Sequence, residues 1–229
     1  MFKIIIQIVI LIYTILTIYN IINIQKYNVN GFVIYTDQYN TLVENLIKLN
    51  PIQFYEKSTH ITIDQLIDYN PECKITDEIK INDYNQVNDL YIYKNKELFE
   101  NLDIQRFVHF DLTQLPLSII NIDLNKSFSI LKGNQKTNLQ LASHNYNLIG
   151  TIYGDATIYL FNPKHKEDII GKENYEIKKW GHKKYIQKNE ILLIPPYWYY
   201  IQENENPIIQ YHIEVDNIFT MVPNFFRNI

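Results

Sequence analysis

Short runs of apolar residues, or of alternating apolar and polar residues, recur in the second half of the chain, from about Phe107 onward. Turn-forming pairs separate these runs, among them Gly133-Asn134, Gly154-Asp155 and Asn206-Pro207. Many short strands at this spacing, with helices only before them, predict a β-sandwich or barrel. The predicted strands cover residues 127–131, 148–153, 157–161, 191–194, 199–202 and 208–215.

The first half of the chain mixes strand and helix patterns. Residues 31–35 and 52–55 form apolar runs that predict strands. Asp37 and Thr62 are capping residue types, and the apolar spacing after each predicts a helix that ends before Pro51 and Pro71, respectively. The polar segment 77–101 predicts irregular structure, broken only at residues 90–93. We therefore expect a mostly β (α+β) chain, with an α/β N-terminal part of the domain at 27–106 and a barrel at 107–229.

The N-terminus has a different pattern, because residues 4–22 carry no charged side chain between Lys3 and Lys26. As a helix, a segment of this length spans about 28 Å, which is close to the hydrocarbon thickness of a bilayer. The pattern predicts a transmembrane anchor over 1–26, hence a single-pass membrane protein with the lipid bilayer as a partner. A cleaved signal peptide and a buried helix are the alternatives. If the remainder is external, Asn125 lies in a possible glycosylation sequon with Ser127.

Charge and cysteine content exclude several classes of function. A net charge of -4 argues against a dedicated nucleic-acid binder, since no general basic surface would neutralise phosphates. The single cysteine, Cys73, excludes an intramolecular disulfide framework and a cysteine-based zinc site. The 229 residues include 41 Ile and 27 Asn but only 2 Ala and 2 Arg, which is typical of a strongly A/T-biased genome. A large DNA virus or an A/T-rich protist is the expected source.

Two stretches of the barrel region share a family pattern. The first comprises residues 131–133, 141–148, 152–156 and 160–163, and the second is Glu190 to Tyr200 with Ile194-Pro195-Pro196-Tyr197-Trp198 at its centre. Together they resemble the cupin-like JmjC domain of iron- and 2-oxoglutarate-dependent protein hydroxylases and demethylases. This resemblance implies a double-stranded β-helix, a jelly roll of two facing sheets. It also implies an Fe(II) site held by two His and one carboxylate.

The residues that the resemblance places at the iron site do not supply metal ligands. Asn147 matches the family's asparagine, and Trp198 matches the tryptophan of the second stretch. On this register the first His falls on Leu141, the acid on Ser143, the cosubstrate-binding cation on Ala156 and the second His on Tyr200. Leu and Ala carry no donor atom and Ser is a poor one. We expect a degenerate site whose pocket includes Asn147 and Trp198, with no metal and no cofactor, and with these four side chains closing or reshaping the interior.

Three functional hypotheses follow from this pattern. The leading one is a membrane-anchored, catalytically inactive cupin/JmjC-like protein with a binding or structural role and a protein or glycan partner, but no nucleic acid. The first alternative is a divergent oxygenase that uses Fe(II) and 2-oxoglutarate with nonstandard ligands such as His144 and His212. The second is a lectin-like sugar binder, because the rings of Tyr197 to Tyr200 suit the faces of sugars. The lysines around Trp180 form a local basic patch, for which the two interpretations are contact with anionic lipid headgroups and a solvated loop between strands.

Overall fold

The computed structural model describes residues 2–26, 34–35, 50–55, 62–108 and 121–217. The helices are α1 (Phe2–Lys26), α2 (Ile63–Tyr69), α3 (Lys96–Asn101), α4 (Lys166–Ile169) and α5 (Asn174–Ile177), and 3-10 turns cover Ile81–Gln86, Ile104–Arg106, Pro163–His165 and Lys178–Trp180. The strands are β1 (Ile34–Tyr35), β2 (Ile52–Tyr55), β3 (Leu90–Asn95), β4 (Asn121–Lys132), β5 (Gln135–Lys136), β6 (Gln140–Leu141), β7 (Tyr146–Tyr153), β8 (Ala156–Phe161), β9 (His182–Ile186), β10 (Glu190–Ile194), β11 (Tyr199–Asn204) and β12 (Ile208–Asn217).

The strands from β4 onward form two facing antiparallel sheets. In the larger sheet the order β10-β7-β12-β4 is the centre, and in the smaller one the order is β5-β11-β8-β9, with β6 also paired to β11. The chain therefore crosses repeatedly between the sheets, with β4, β7, β10 and β12 in the larger one and β5, β6, β8, β9 and β11 in the smaller one. This is the topology of a double-sheet jelly roll, the architecture of cupins. The predicted jelly roll of two facing sheets is confirmed by this strand order, and the fold is cupin-like.

Elements from the first half of the chain extend and cover the larger sheet. Strand β2 pairs antiparallel with β10 at one edge, and β3 pairs antiparallel with β4 at the other. Apolar side chains of α2, α3 and the turns that follow them join the sheet's outer residues in one buried cluster. The larger sheet is consequently buried on both faces, and its strand β10 reads as a nearly continuous apolar run.

Two separate cores result from this layering. The outer core includes Leu66, Phe99, Leu148, Ile213 and Val215. The inner core lies between the sheets, and its members come from both of them: Ala142, Ile149, Ile158, Leu160, Ile186, Leu192, Ile194, Trp198 and Tyr200. Trp198 and Tyr200 are nearly inaccessible to solvent. Their rings therefore fill the barrel rather than line an open channel.

Most predicted elements match observed ones. Each of the six strands predicted for the barrel lies inside an observed strand, residues 52–55 form β2, and Thr62 caps α2 with a capping box. The helix predicted after Asp37 lies outside the described residues. The irregular structure predicted for 77–101 is wrong in part, since this segment contains β3 and α3. The side chain of Asn95 accepts a hydrogen bond from Leu98 N and starts α3, whose Leu98 and Phe99 are buried.

The N-terminal membrane prediction is overturned. Helix α1 covers Phe2–Lys26, and its described side chains, at residues 4–18, are mostly exposed and apolar. In the part of the chain that the structure describes, no helix reaches the length and apolar character that crossing a membrane requires. On this finding the predicted single-pass location is wrong, and the bilayer partner predicted at residues 4–22 is not supported.

Candidate functional site

The inward face of β12 carries a row of buried polar side chains. Side chains of a strand alternate between its two faces, so Ile209, Tyr211, Ile213 and Val215 enter the outer core. Their neighbours point into the barrel, and all four are almost fully buried: Gln210, His212, Glu214 and Asp216. This alternation places two carboxylates and one imidazole inside the domain, on the side of the larger sheet that faces the apolar and aromatic inner core.

Two of these residues belong to an ion quartet of Lys94, His144, Glu214 and Asp216. His144 Nδ1 lies 2.8 Å from Asp216 Oδ2, and His144 Nε2 lies 3.2 Å from Glu214 Oε2. The Lys94 ammonium donates to Glu214 Oε1, and Asn125 Nδ2 donates to Glu214 Oε2 at 2.8 Å. Each ring nitrogen of His144 therefore faces a carboxylate, and both oxygens of Glu214 are hydrogen-bonded.

The backbone of β3 brings Lys94 to the quartet. Lys94 adopts a left-handed conformation with φ of 52°, at the irregularity where the pairing of β3 with β4 shifts between Ile92 and Asn95. Its backbone N–H donates to Ser129 Oγ at 2.9 Å. A non-glycine residue in this region of φ costs on the order of 1–3 kcal/mol, so the surrounding contacts must hold it there.

Interactions within the quartet shift the pKa values of His144 and Glu214 in favour of their charged forms. Burial alone would lower the pKa of His144, but hydrogen bonds and charge interactions with Asp216 and Glu214 outweigh burial and raise that pKa to about 9. Burial alone would raise the pKa of Glu214, but His144 and Lys94 hold it well below its ordinary value. At neutral pH these shifts favour a protonated His144 and an ionised Glu214.

His212 is more deeply buried than His144, and its pKa shifts in the opposite direction. Its Nε2 lies 2.8 Å from Ser129 Oγ, and its ring contacts the Tyr93 ring edge-on, with centroids 5.4 Å apart. Among the described residues, Nδ1 has no hydrogen-bond partner. Burial, followed by the charge of Lys94, lowers the pKa of His212 to about 3. His212 is therefore a neutral imidazole throughout the physiological range.

The structure brings only part of the predicted degenerate site together. Ala156 and Tyr200 are buried in the barrel, each 1% exposed, and the Tyr200 hydroxyl lies 3.3 Å from that of Tyr93. Ser143 is half-buried, whereas Leu141 is 38% exposed at the barrel edge, where it pairs with Tyr199 of β11. Leu141 thus differs from the expected inward position, because β6 contains only two residues and ends at this edge.

The other predicted residues hold the strands near the quartet. Asn147 Nδ2 donates to the carbonyls of His144 at 2.9 Å and Ile194 at 3.3 Å, which ties β7 to β10. Trp198 is fully buried, and its carbonyl accepts from Ala142 N at 2.8 Å. Asn125, the predicted glycosylation residue, is half-buried in β4 with its amide donating to Glu214.

The residues present do not fit an Fe(II) and 2-oxoglutarate site. Burial raises the pKa of Tyr200 well above its ordinary value, so its hydroxyl remains protonated and is a poor metal ligand. Ala156 provides no cation for a cosubstrate carboxylate. His144 has both ring nitrogens engaged by carboxylates, and no three His, Cys, Asp or Glu side chains of the described residues form a group that could hold a metal ion.

Sequence reasoning missed three of the four quartet residues. Lys94 lies in a polar segment that predicts irregular structure, and nothing local indicates its buried partner 120 positions away. Glu214 and Asp216 could have been noticed, because charged residues at alternate positions of an otherwise apolar strand must point to one face.

Apart from the buried quartet, the protein has a concave groove on the outer face of the smaller sheet. This groove has a volume of about 580 Å³ and is lined by two tyrosines and several polar side chains, including Asp155, Thr157, Tyr159, Lys183, Tyr185 and Glu203. The Tyr185 ring is half exposed, and its hydroxyl donates to Asp155 Oδ2 at 2.5 Å.

The known proteins to which this chain is similar are distant from it. No family model and no curated protein matches the chain. A cupin superfamily protein from Desulfitobacterium hafniense is 10% identical, with a TM-score of 0.31, over 41% of this chain and 68% of that one. The cupin domain of Drosophila melanogaster CENP-C is 12% identical, with a TM-score of 0.30, over 39% of this chain and 59% of its own.

The same Drosophila melanogaster protein bound to CAL1 matches with 12% identity and a TM-score of 0.30, over 39% of this chain and 62% of that one. The chain thus spans less than two thirds of the length of both CENP-C structures. Because these TM-scores are low, the assignment to the cupin-like class depends on the order and pairing of the strands.

Proposed function

We propose that this protein is a non-catalytic cupin-like module that acts by binding a macromolecular partner with its outer surface. The observation that carries the proposal is the ion quartet. Lys94 and His144 neutralise Glu214 and Asp216 inside the barrel, next to the positions where the resemblance places an iron site. The protein's own cations thus satisfy the acidic groups that a metal could otherwise use.

The side chains around the quartet support the same proposal. Lys94 Nζ lies 5.9 Å from the centre of the Tyr200 ring, so its ammonium interacts both with Glu214 and with that ring. Trp198 and Tyr200 fill the interior with fully buried rings. A ligand that entered here would have to displace packed aromatic groups and separate a buried ion pair, and both steps are unfavourable.

Direct titration of the full chain with Mn²⁺, a spectroscopic substitute for Fe(II), and with 2-oxoglutarate tests the proposal. We expect neither to bind at concentrations that saturate an active iron- and 2-oxoglutarate-dependent oxygenase measured in parallel. Elemental analysis of the protein as purified provides an independent readout. Stoichiometric Fe, Mn or Zn, or saturable 2-oxoglutarate binding, would defeat the non-catalytic proposal.

The groove on the smaller sheet favours a second candidate function, sugar binding. An exposed tyrosine ring can pack against the C–H face of a pyranose, and adjacent carboxylates accept hydrogen bonds from its hydroxyls. Tyr185, Asp155 and Glu203 provide these groups, and the groove volume lies within the range of small-ligand sites.

A glycan array probed with the labelled full chain tests this candidate. We expect Tyr185→Ala to abolish any signal, because it removes the exposed ring at the groove. Tyr175→Ala is the matched control, since Tyr175 is 75% exposed but does not line the groove. A wild-type chain that binds no glycan, or equal signals from both variants, excludes sugar binding in this groove.

A further inference from the structure

The connection between β8 and β9 differs in charge from the rest of the protein. Residues 162–186 contain seven Lys and four acidic side chains, a net charge of +3. Since the whole chain carries -4, the remaining residues together carry -7. A local positive potential within an acidic protein attracts anionic partners to one place.

Within this connection, six side chains linked by ring contacts and charge interactions form what we call the basic aromatic patch. It comprises Lys164, His165, Lys179, Trp180, His182 and Lys184. The rings of His165 and Trp180 lie 4.9 Å apart, and Lys179 Nζ lies 5.5 Å from the Trp180 ring centre. Burial, followed by the charges of Lys164, Lys184 and His165, lowers the pKa of His182. The cations are therefore close enough to raise the local potential together.

The position of Trp180 is set by the structure beneath it. Gly181 follows it directly, and a Cβ on Gly181 would lie 2.8 Å from the Phe161 ring, so the chain packs closely against β8 at this point. Trp180 remains 37% exposed, and Ile170 and Tyr175 of the same connection are 50% and 75% exposed. Trp and Tyr are among the residue types enriched in protein-binding hot spots, so these exposed rings suit a protein partner.

We propose that the basic aromatic patch binds an acidic segment of a partner protein. The lysines of the patch would pair with the carboxylates of that segment, and an apolar side chain of the segment would pack on Trp180. This inference rests on the proposed binding function and identifies its surface and partner class. Charge complementarity favours an acidic partner for this basic surface. A short acidic segment contacts the patch alone, whereas a long nucleic acid would also pass over the acidic remainder of the protein and be repelled. Asp168, whose carboxylate lies 3.5 Å from His165 Nδ1, is the acidic group that a partner carboxylate would have to displace.

Fluorescence anisotropy of the full chain with a labelled short peptide of Asp, Glu and Leu tests the inference. We expect saturable binding that weakens as added salt screens the charges beyond a Debye length of about 8 Å at physiological ionic strength. The triple reversal Lys164→Glu, Lys179→Glu and Lys184→Glu should abolish the binding. Trp180→Ala should weaken it roughly tenfold or more, as expected for a hot-spot residue.

A matched triple variant separates the patch from net charge. Lys74→Glu, Lys96→Glu and Lys188→Glu change three exposed lysines outside the patch and give the same total charge. This variant should keep most of the affinity, and thermal unfolding should show that all variants are folded. Equal losses in both triple variants, no peptide binding, or tighter binding of an oligothymidylate of equal charge would overturn the inference. These outcomes leave the metal and 2-oxoglutarate titrations, and therefore the proposed non-catalytic function, unaffected.

Discussion

Glu214 is the residue on which the buried network depends. It accepts hydrogen bonds from Lys94 and Asn125 and pairs with His144, while its side chain is only 9% exposed. A carboxylate with three partners in the interior is stable only while those partners remain, because burying an unpaired charge is strongly unfavourable. The quartet is therefore expected to act as a unit in which a single change leaves several groups unsatisfied.

Replacing Glu214 by Gln tests this dependence. The substitution keeps the shape of the side chain but leaves the half-buried Lys94 ammonium without its carboxylate, so we expect the free energy of unfolding to fall by about 1–3 kcal/mol. Urea denaturation followed by circular dichroism measures the change. Glu205→Gln, an exposed site, is the control and should shift stability by less than about 0.5 kcal/mol. A loss as small as the control's would mean that the quartet contributes little.

The coupling within the pair can be measured separately. In the double variant Lys94→Met and Glu214→Leu, both charges are removed together and neither is left alone in the interior. We expect it to be destabilised by less than the sum of the two single variants, by about 0.5–3 kcal/mol, in a double-mutant cycle. Simple additivity would contradict a direct interaction between the two side chains.

Strand β12 shows how one element serves two cores. It pairs with β4 on one side and β7 on the other, and residues on both of its faces are buried. Gly150 of β7 lies opposite Tyr211, and a Cβ at position 150 would lie 2.0 Å from the Tyr211 ring. The outer core therefore depends on a glycine at this place for steric reasons.

Gly150→Ala should accordingly destabilise the protein. The Tyr211 ring is buried and has no room to move aside, so we expect a loss of about 1–3 kcal/mol from overpacking, measured by urea denaturation. In a Tyr211→Leu background the same substitution should be better tolerated, because the clashing ring atoms are gone. An equal loss in both backgrounds would show that the clash is not the cause.

The elements differ in how well the sequence predicts them. Residues 52–55 are an apolar run next to Pro51, and they form β2 with those bounds. Strand β9 was not predicted, because it is an edge strand paired only with β8 and its sequence His182-Lys183-Lys184 presents mostly exposed side chains. The quartet was not predicted either, since Lys94 and Glu214 are joined only by tertiary structure. Local patterns report burial on one face, but they do not report which distant side chain lies opposite.

At the scale of the whole molecule, the barrel shares its core with the first half of the chain. Leu148, Ile152 and Leu193 of the larger sheet pack in the same cluster as Leu98 and Phe99 of α3. Separated from these elements, the sheet would expose one entire apolar face to water. The barrel and the N-terminal part therefore form one cooperative unit rather than two independent ones.

Deleting residues 62–106 tests this cooperativity. We expect the shortened chain to lose its sharp unfolding transition and to bind the dye ANS, because the outer face of the larger sheet is uncovered. Near-UV circular dichroism and ANS fluorescence make the measurement, with the full chain as the reference. A cooperative unfolding transition without ANS binding would indicate that the barrel folds on its own.

The dependence of stability on pH combines opposite effects from the buried histidines. His144 has a folded pKa of about 9 against an ordinary value of 6.5, so its stabilisation is complete below about pH 6.5 and is lost as pH rises toward 9. His212 has a folded pKa of about 3, so it stays neutral in the folded protein at pH values where the unfolded chain binds a proton there. Below about pH 6.5 stability therefore also falls on acidification. The lowered pKa of Glu214 adds a further loss below about pH 4.5.

Stability should consequently be greatest near pH 6.5 and decline on both sides. Urea denaturation across the range from about pH 4 to pH 9.5 measures the two declines. His144→Gln should flatten the alkaline decline while leaving the acidic one, and His212→Asn should flatten the acidic one. An unchanged alkaline decline in His144→Gln would contradict a charged His144 in the folded protein.

The two indole side chains of the molecule differ sharply in environment, since Trp198 is sealed in the barrel and Trp180 is 37% exposed. Their emission should differ accordingly, with a blue component that iodide cannot quench and a red component that it can. Each spectrum of the unlabelled protein would thus contain separate signals from its interior and its surface. A rearrangement near the surface indole could then be distinguished from global unfolding without introducing a dye.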